Sequence, residues 1–215
     1  MTSELMAQKH SMVHRALGTR IVLTVYGDQY YPLLGQSMKL IDGYEDRLTV
    51  NRPVSEVMAV NDAAGRLPKL VSPSTYELIK LAVHYSRENF GFNALIGPLV
   101  KLWKIGFDGA NVPSPAAIKD RLALTDPYKV LLDDDNRTVF LEEAGMELDL
   151  GGIAKGYIAD RIRDFWTAQG VLAGIINLGG NLLFVGQSPR RSDGQWIIGV
   201  QDPQLKRVRT WKPSA

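Results

Sequence analysis

The chain has 215 residues, 45% of them hydrophobic and 22% charged, which is typical of a globular protein long enough to bury a sizeable core in one domain or two small lobes. Its net charge of +2 gives no electrostatic reason to expect nucleic acid or a membrane as the main partner. Cysteine is absent, which excludes disulfides, thiolate zinc sites and cysteine nucleophiles.

The amino-terminal residues 1–19 contain no apolar run that resembles a signal peptide, and no later segment is long and apolar enough to cross a bilayer. We therefore expect a cytoplasmic protein without membrane insertion. An export signal removed before the first residue is the alternative, because it leaves the same pattern.

The first predicted elements are a strand and a helix. Alternating apolar residues over 19–26 predict the first strand, and helical spacing of apolar residues over 34–48 predicts the helix. Residues 49–65 are polar and interrupted by proline, so we expect a loop with a short helical turn around 55–60.

Three more helices and a hairpin are predicted in the middle of the chain. Cap, first-turn proline and capping-box signals in Ser72-Pro73-Ser74 with Glu77 predict a helix that runs to about residue 89. Its predicted apolar face is formed by Leu78, Ile79, Ala82 and Tyr85. The two helices that follow are shorter, over 98–103 and from a cap at Ser114 to about Leu124, and a hairpin is predicted over 128–142.

The stretch DLGGIAKGYIADR, residues 149–161, joins a predicted strand to a predicted helix. Apolar and acidic residues alternate over 146–150, which indicates a half-buried strand. The glycine pair at 151–152 permits close approach by another backbone or a ligand. Helical spacing of the residues that follow places Lys155 in the first helical turn.

Lys155 and Asp149 are the candidate binding residues of this stretch. A helix N-terminus favours anions, so a cation there is explained by a phosphate beside it, whereas the alternative is a lysine that extends into solvent. Asp149 is suited to a ribose hydroxyl or a metal, and its alternative is an N-cap for the helix. Neither a P-loop nor a dinucleotide-binding glycine motif is present.

Two strands are predicted over 174–178 and 182–185, joined through Gly179-Gly180, and a third over 196–200. Helices and hairpins are mixed along the chain instead of alternating strictly with strands. This order favours an α+β fold over a doubly wound sheet.

Other residue patterns in the sequence give weaker indications of function. No G-x-S-x-G elbow and no H-E-x-x-H motif is present, which argues against the common hydrolase sites. His84 is expected on a helix surface. The basic residues 206–212 are expected to be solvated instead of binding nucleic acid.

The chain contains six motifs in a characteristic order: Leu17-Gly18-Thr19; SEVMAVN at 55–61; FNALIGPLV followed by LW at 92–103; DLGGIAKGY at 149–157; INLGGN at 176–181; and IGVQDP at 198–203. Together they resemble the ApbE family of FAD:protein FMN transferases, whose opening motif is M-G-T where this chain has Leu17-Gly18-Thr19. The resemblance covers nearly the whole chain and implies an ApbE-like, T-fold-like architecture of mixed and antiparallel sheets with packed helices.

The resemblance implies that residues 19–215 form one FAD-binding domain after an extension over 1–18. It also implies transfer of FMN from FAD, with Mg²⁺, to a Ser or Thr hydroxyl of an acceptor flavoprotein through a phosphoester bond, with release of AMP. The main-chain oxygen of Gly152 is the implied metal ligand. The implied FAD contacts are Leu17, Asn51, Asn93, Ala94, Leu95, Asp149 and Lys155.

The family pattern continues beyond the Asp-Pro at 202–203 with a histidine motif and metal-binding Asp and Thr side chains, and none of these is found before residue 215. We therefore expect a fragment of a longer protein, which alone has little activity. The alternatives are a flavin-binding module, an FAD pyrophosphatase that releases FMN and AMP, or a scaffold that retains only the fold.

Overall fold

The computed structural model describes residues 8–104 and 108–200, and their fold is α+β with two antiparallel sheets. The strands are β1 Lys9–Ala16, β2 Thr19–Tyr26, β3 Lys69–Leu70, β4 Val130–Asp133, β5 Thr138–Leu141, β6 Ala173–Leu178 and β7 Asn181–Gly186. The helices are α1 Tyr31–Leu48, α2 Glu56–Asp62, α3 Pro73–Arg87, α4 Gly97–Trp103, α5 Pro115–Leu122 and α6 Ala154–Ala168.

The larger sheet has the order β1-β2-β6-β7, and the smaller has the order β3-β5-β4. In the larger sheet, Leu23 of β2 pairs with Ile176 of β6, and both side chains are fully buried. The helices α1 and α6 pack together and against this sheet. One part of the core therefore lies between the larger sheet and these two helices, because the apolar face of each element must be covered. The same buried cluster continues to α2, α3 and the smaller sheet.

Trp166 of α6 is the largest fully buried side chain. Its indole Nε1–H donates to the hydroxyl of Ser37 on α1 at 2.8 Å, and that hydroxyl donates to the Leu33 carbonyl at 2.7 Å. A buried indole N–H needs such an acceptor, because it has no water to bond. The bond therefore fixes α6 against α1.

Most of the elements predicted from the sequence are confirmed. The strand over residues 19–26, the long helix α1, the helical turn α2 and the β4–β5 hairpin all form where the patterns indicated. The turn between β6 and β7 forms at Gly179 and Gly180, both with positive φ, and Asn177 Oδ1 accepts a hydrogen bond from Gly180 N at 2.8 Å. Glycine suits this turn because it adopts positive φ without strain.

The strand predicted over residues 146–150 is wrong, although its burial pattern is right. Met146, Leu148 and Leu150 are buried, as alternation required, but the segment joins neither sheet. Its backbone bonds instead to a side chain of α2 and to the loop before α4. An extended segment has a period of two whether or not another strand pairs with it.

Residues 196–200 were also predicted as a strand and form none. The Trp196 ring lies 5.2 Å from the Phe184 ring, and its Nε1–H donates to the Gly186 carbonyl at 2.8 Å. Trp196 is thus held against β7 through its side chain and not through a backbone ladder. The predicted basic stretch 206–212 and the motif residues 201–203 lie outside the described residues.

The capping box predicted at the start of α3 is wrong. Ser72 is the N-cap residue, but its hydroxyl donates to Glu56 Oε2 at 2.8 Å and makes no cap bond. Glu77 instead accepts a hydrogen bond from the Tyr157 hydroxyl at 2.7 Å. Tyr85, expected on the apolar face of this helix, is 43% exposed. Residues distant in the chain, Glu56 and Tyr157, therefore bond to the side chains of Ser72 and Glu77 that a capping box would have used.

The strand β1 was not predicted from the sequence. It lies within residues 1–18, which were assigned to an N-terminal extension. The side chains of His10, Met12 and His14 alternate with more exposed residues along it. His10 Nε2 lies 2.6 Å from Asp28 and His14 Nε2 lies 2.6 Å from Asp42, so polar pairs replace apolar contacts on its inner face. No helix in the described part of the chain is long and apolar enough to cross a membrane.

We predict that Ser37→Ala lowers the free energy of unfolding by about 1–3 kcal/mol, because it leaves the buried Trp166 N–H without an acceptor. Urea denaturation measures the change. Gln36→Ala, on the exposed side of the same helix, is the control and is expected to stay within about 0.5 kcal/mol of the parent. Equal stability of the two variants would show that the indole bond contributes nothing.

Candidate functional site

A cavity of about 740 Å³ lies between the end of α1, α4 and the start of α6. It is lined by Leu17, Gly18, Glu45, Leu48, Thr49, Val50, Asn51, Gly97, Val100, Lys101, Lys104, Asp108, Glu147, Leu148, Asp149, Leu150, Gly151, Ala154 and Lys155. Its size is within the range of small-molecule and cofactor sites.

The extended segment 146–150 forms one wall of this cavity. Leu148 N donates to Asn61 Oδ1 at 2.8 Å, and Asn61 Nδ2 donates to the Leu148 carbonyl at 3.0 Å. Asp149 N donates to the Ala94 carbonyl at 2.8 Å. These three bonds hold Glu147 and Asp149 at the cavity wall.

Asp149 lies at the cavity and makes a local turn. Its Oδ1 accepts a hydrogen bond from Gly151 N at 2.8 Å. The residue at the N-cap of α6 is Ile153, which makes no side-chain cap bond, so the N-cap alternative for Asp149 is wrong. The Asp149 carboxylate is therefore held five residues before the first residue of α6, and Asp149 lines the cavity together with Gly151.

Lys155 lies in the first turn of α6 and lines the same cavity. The N-terminus of this helix carries partial positive charge, so the lysine adds to a field that favours an anion. Among the ion pairs of residues 8–104 and 108–200, none includes Lys155. Lys155 thus lines the cavity from the first turn of α6, and its contact with a phosphate stays a prediction.

Further charged residues line the cavity, namely Glu45, Lys101, Lys104, Asp108 and Glu147. Lys101 Nζ of α4 lies 2.7 Å from Glu147 Oε2, an ion pair, although this buried oxygen accepts no hydrogen bond of good geometry from the described residues. Gly97 makes this contact possible, because a Cβ there would lie 2.7 Å from Glu147 Cβ. Glu45 lines the cavity from α1.

Three of these cavity residues were not predicted from the sequence: Glu45, Lys101 and Glu147. A signal existed for Glu147, since it lies two residues before Asp149 and shares its face of an extended segment. Nothing in the local sequence indicated the other two, because their helices come from distant parts of the chain.

Leu17 and Asn51 are the other predicted contacts that the cavity contains. Leu17 lies in the turn between β1 and β2 with φ of 54°. Asn51 follows α1, and its backbone N donates to Thr49 Oγ1 at 3.2 Å. The cavity therefore brings together four of the seven predicted flavin contacts.

Asn93, Ala94 and Leu95 are not among the lining residues. Asn93 Oδ1 accepts from Leu95 N at 2.8 Å, and its Nδ2 donates to the Thr125 carbonyl at 2.8 Å. Ala94 and Leu95 are fully buried. Ala94 supports the cavity wall, because its carbonyl accepts a hydrogen bond from Asp149 N. Contact of Asn93, Ala94 and Leu95 with FAD stays a prediction.

Gly152 is exposed and lies beside Phe92, whose ring a Cβ at this position would approach to 3.2 Å. Its predicted role is to ligate Mg²⁺ through its carbonyl. In the described residues, no group of three or more histidine or acidic side chains is arranged to hold a metal ion. Mg²⁺ needs several oxygen ligands, so these residues do not complete a site for it.

Tyr157 lies two residues after Lys155 and connects α6 to α3. Burial, and the hydrogen bond to Glu77, raise the pKa of the Tyr157 hydroxyl well above its ordinary value. The Arg161 guanidinium lies 5.0 Å from the Tyr157 ring centroid. These contacts fix the helix that carries Lys155.

Comparison with known proteins gives the same assignment as the motifs. The model of the ApbE family matches residues 17–214. The chain belongs to the ApbE family. The matched region includes every residue that lines the cavity.

Two curated relatives of this ApbE chain are FAD:protein FMN transferases. That of Klebsiella pneumoniae (strain 342) is 48% identical over 188 residues, which cover 87% of this chain and 57% of the relative. That of Treponema pallidum (strain Nichols) is 34% identical over 212 residues, covering 91% of this chain and 59% of the relative. The chain thus spans less than two thirds of either relative.

Solved structures confirm the ApbE fold. The crystal structure of the ApbE protein from Thermotoga maritima superposes with a TM-score of 0.83 at 29% identity, covering 94% of this chain and 66% of that one. The flavin transferase ApbE from Vibrio cholerae gives 0.80 at 23% identity, covering 91% and 64%, which shows the fold alone.

We predict that Gly97→Ala lowers the free energy of unfolding by about 1–3 kcal/mol, because the new Cβ overlaps the Glu147 backbone at 2.8 Å. Gly156→Ala is the control, since its Cβ in α6 would meet nothing within 4 Å. We expect it to stabilise by about 0.5–1 kcal/mol through helix propensity. Urea denaturation of both variants tests the close approach of α4 to the cavity wall.

We predict that the wild-type protein loses stability relative to Tyr157→Phe as pH rises above about 10, the ordinary tyrosine pKa. The folded state raises the Tyr157 pKa, so its contribution is complete below pH 10 and is lost at higher pH. Urea denaturation from pH 8 to 11 measures the difference, with Tyr85→Phe as the exposed control. A pH-independent difference contradicts this assignment.

Proposed function

We propose that this chain is the flavin-binding part of an FAD:protein FMN transferase. The observation that carries the proposal is the cavity, in which Asp149 and Lys155 of the glycine turn face one space. The curated relatives bear this name, and the chain includes the family motifs that surround the cavity.

FAD is the substrate that this cavity suits. Its volume of about 740 Å³ lies within the range of cofactor sites. Leu48, Val50 and Val100 offer apolar surface for a ring, and Asp149 offers an acceptor for a hydroxyl. The proposal also includes Asn93, Ala94 and Leu95 as FAD contacts. They lie behind the cavity wall, which Ala94 supports through its bond with Asp149.

The pyrophosphate of FAD is proposed to lie at the start of α6. Lys155 and the helix N-terminus supply positive charge there, and α6 is long enough, at 15 residues, to have a well-formed N-terminus. In the transfer, the acceptor hydroxyl oxygen bonds to the phosphorus of the FMN half. The bond from that phosphorus to the bridging oxygen breaks, AMP leaves, and the hydroxyl proton is released.

Mg²⁺ belongs to the proposal through the main-chain oxygen of Gly152. A bound Mg²⁺ would neutralise charge on the pyrophosphate. The described residues give an incomplete set of ligands, so the residues of this chain are assigned only to binding and orienting FAD.

The proposed acceptor is a Ser or Thr hydroxyl of a flavoprotein. The cytoplasmic location, the absence of nucleic acid as a partner and the domain boundary at residue 18 remain predictions.

The test is incubation of the protein with FAD, Mg²⁺ and a candidate acceptor, followed by chromatography for AMP and mass spectrometry of the acceptor. AMP together with flavinylated acceptor supports the transferase. AMP with free FMN shows an FAD pyrophosphatase, and FAD binding without AMP shows a binding module. No FAD binding contradicts the proposal.

We predict that Lys155→Gln weakens FAD binding by at least tenfold, because it removes the cation nearest the proposed pyrophosphate. Lys39→Gln removes the same charge from the exposed side of α1 and is the control. Calorimetric titration with FAD measures both. Equal affinities of the two variants would place the pyrophosphate elsewhere.

A further inference from the structure

The side-chain amide of Asn61 makes two hydrogen bonds to the backbone of a single residue, Leu148. Its Oδ1 accepts from Leu148 N at 2.8 Å, and its Nδ2 donates to the Leu148 carbonyl at 3.0 Å. The two bonds together fix the orientation of the amide, because only one orientation provides both an acceptor and a donor. Asn61 is 87 residues away in the chain and lies near the end of α2.

This pairing takes the place of a strand partner. Leu148 is 1% exposed and Asn61 is 8% exposed, so neither end of the interaction has ready access to water. Segment 146–150 joins neither sheet, and unpaired buried backbone groups are costly. The Asn61 amide satisfies both polar groups of Leu148 at once.

The residues held in this way are the ones that face the cavity. Glu147 and Asp149 flank Leu148, and all three line the cavity, whereas Asn61 does not. On the far side, the Ala94 carbonyl accepts from Asp149 N at 2.8 Å, and Ala94 N in turn donates to the Ser86 hydroxyl at 2.9 Å. The wall is therefore held from α2 and from the loop after α3.

We propose that Asn61 is a positioning residue for the flavin site: its amide fixes the Leu148 backbone so that the Asp149 carboxylate and the turn to Lys155 face the ligand. This inference rests on the proposed function for its ligand. Asn61 touches no ligand itself, and it acts through the backbone that precedes the glycine turn. A rotation of this backbone would move the Asp149 carboxylate out of its bond with Gly151.

The decisive comparison is between Asn61→Ala and Ser37→Ala. Each variant removes a buried hydrogen bond and is expected to lower stability, but Ser37 bonds to Trp166, and neither residue lines the cavity. Titration with FAD by calorimetry gives the affinities, and thermal unfolding gives the stabilities. We expect Asn61→Ala to weaken FAD binding by at least fivefold and Ser37→Ala to weaken it less than twofold.

Asn61→Asp gives a second variant of the same size. Its carboxylate still accepts from Leu148 N but has no N–H for the Leu148 carbonyl, so we expect at least fivefold weaker FAD binding at pH 8. It decides the question if Asn61→Ala does not fold. Binding within fivefold of the wild type in the folded variant, or an equal loss in Ser37→Ala, overturns the proposal.

Hydrogen exchange tests the same contact without FAD. We expect the Leu148 amide to exchange at least tenfold faster in Asn61→Ala than in the wild type, while amides of β6 change by the smaller factor that the general loss of stability produces. An unchanged Leu148 amide overturns the proposal. If the wild type binds no FAD, the proposed function fails, and the exchange rates still decide whether Asn61 holds this segment.

Discussion

The structure depends on one constraint: the buried segment 146–150 is extended but has no neighbouring strand. Buried backbone N–H and C=O groups require partners, and here they find them in the Asn61 amide and the Ala94 carbonyl. A strand in the middle of a sheet would have a neighbour on each side. This segment is held by separate contacts instead, and Glu147 and Asp149 within it line the cavity.

The surrounding elements build the rest of the site around this wall. The larger sheet and the bond from Trp166 to Ser37 hold the middle of α6 against α1. Lys155, at the start of α6, lies at the cavity near the end of α1. The missing side chain of Gly97 lets α4 approach Glu147 and bring Lys101 with it. The site thus combines a fixed helix N-terminus with carboxylates and lysines in one partly enclosed space, where charges interact more strongly than in open water.

Local signals in the sequence predicted much of this fold. Period-two and helical patterns identified β2, α1 and α6, because burial of one face leaves a periodic pattern. β1 escaped detection because His10 and His14 occupy its inner face and pair with aspartates from other elements. Residues 196–200 have a strand-like composition, but the Trp196 ring provides the contact with β7.

The sequence predicted only the part of the candidate site whose residues are close together in the chain. Asp149 and Lys155 share one glycine turn, so their proximity follows from the local chain, whereas Lys101 and Glu45 join them only through packing. Asn93 was expected to contact FAD, yet its amide bonds to Leu95 N and the Thr125 carbonyl. The resemblance to a family identifies an important residue without distinguishing ligand contact from support of the wall.

FAD is proposed to bind in this cavity, with its pyrophosphate at the start of α6. A crystal structure of the protein soaked with FAD tests this binding mode. We expect density for the pyrophosphate within hydrogen-bonding distance of Lys155, with Asp149 facing the same ligand and the Asn61 bonds to Leu148 intact. FAD bound at another surface, with this cavity empty, would contradict it.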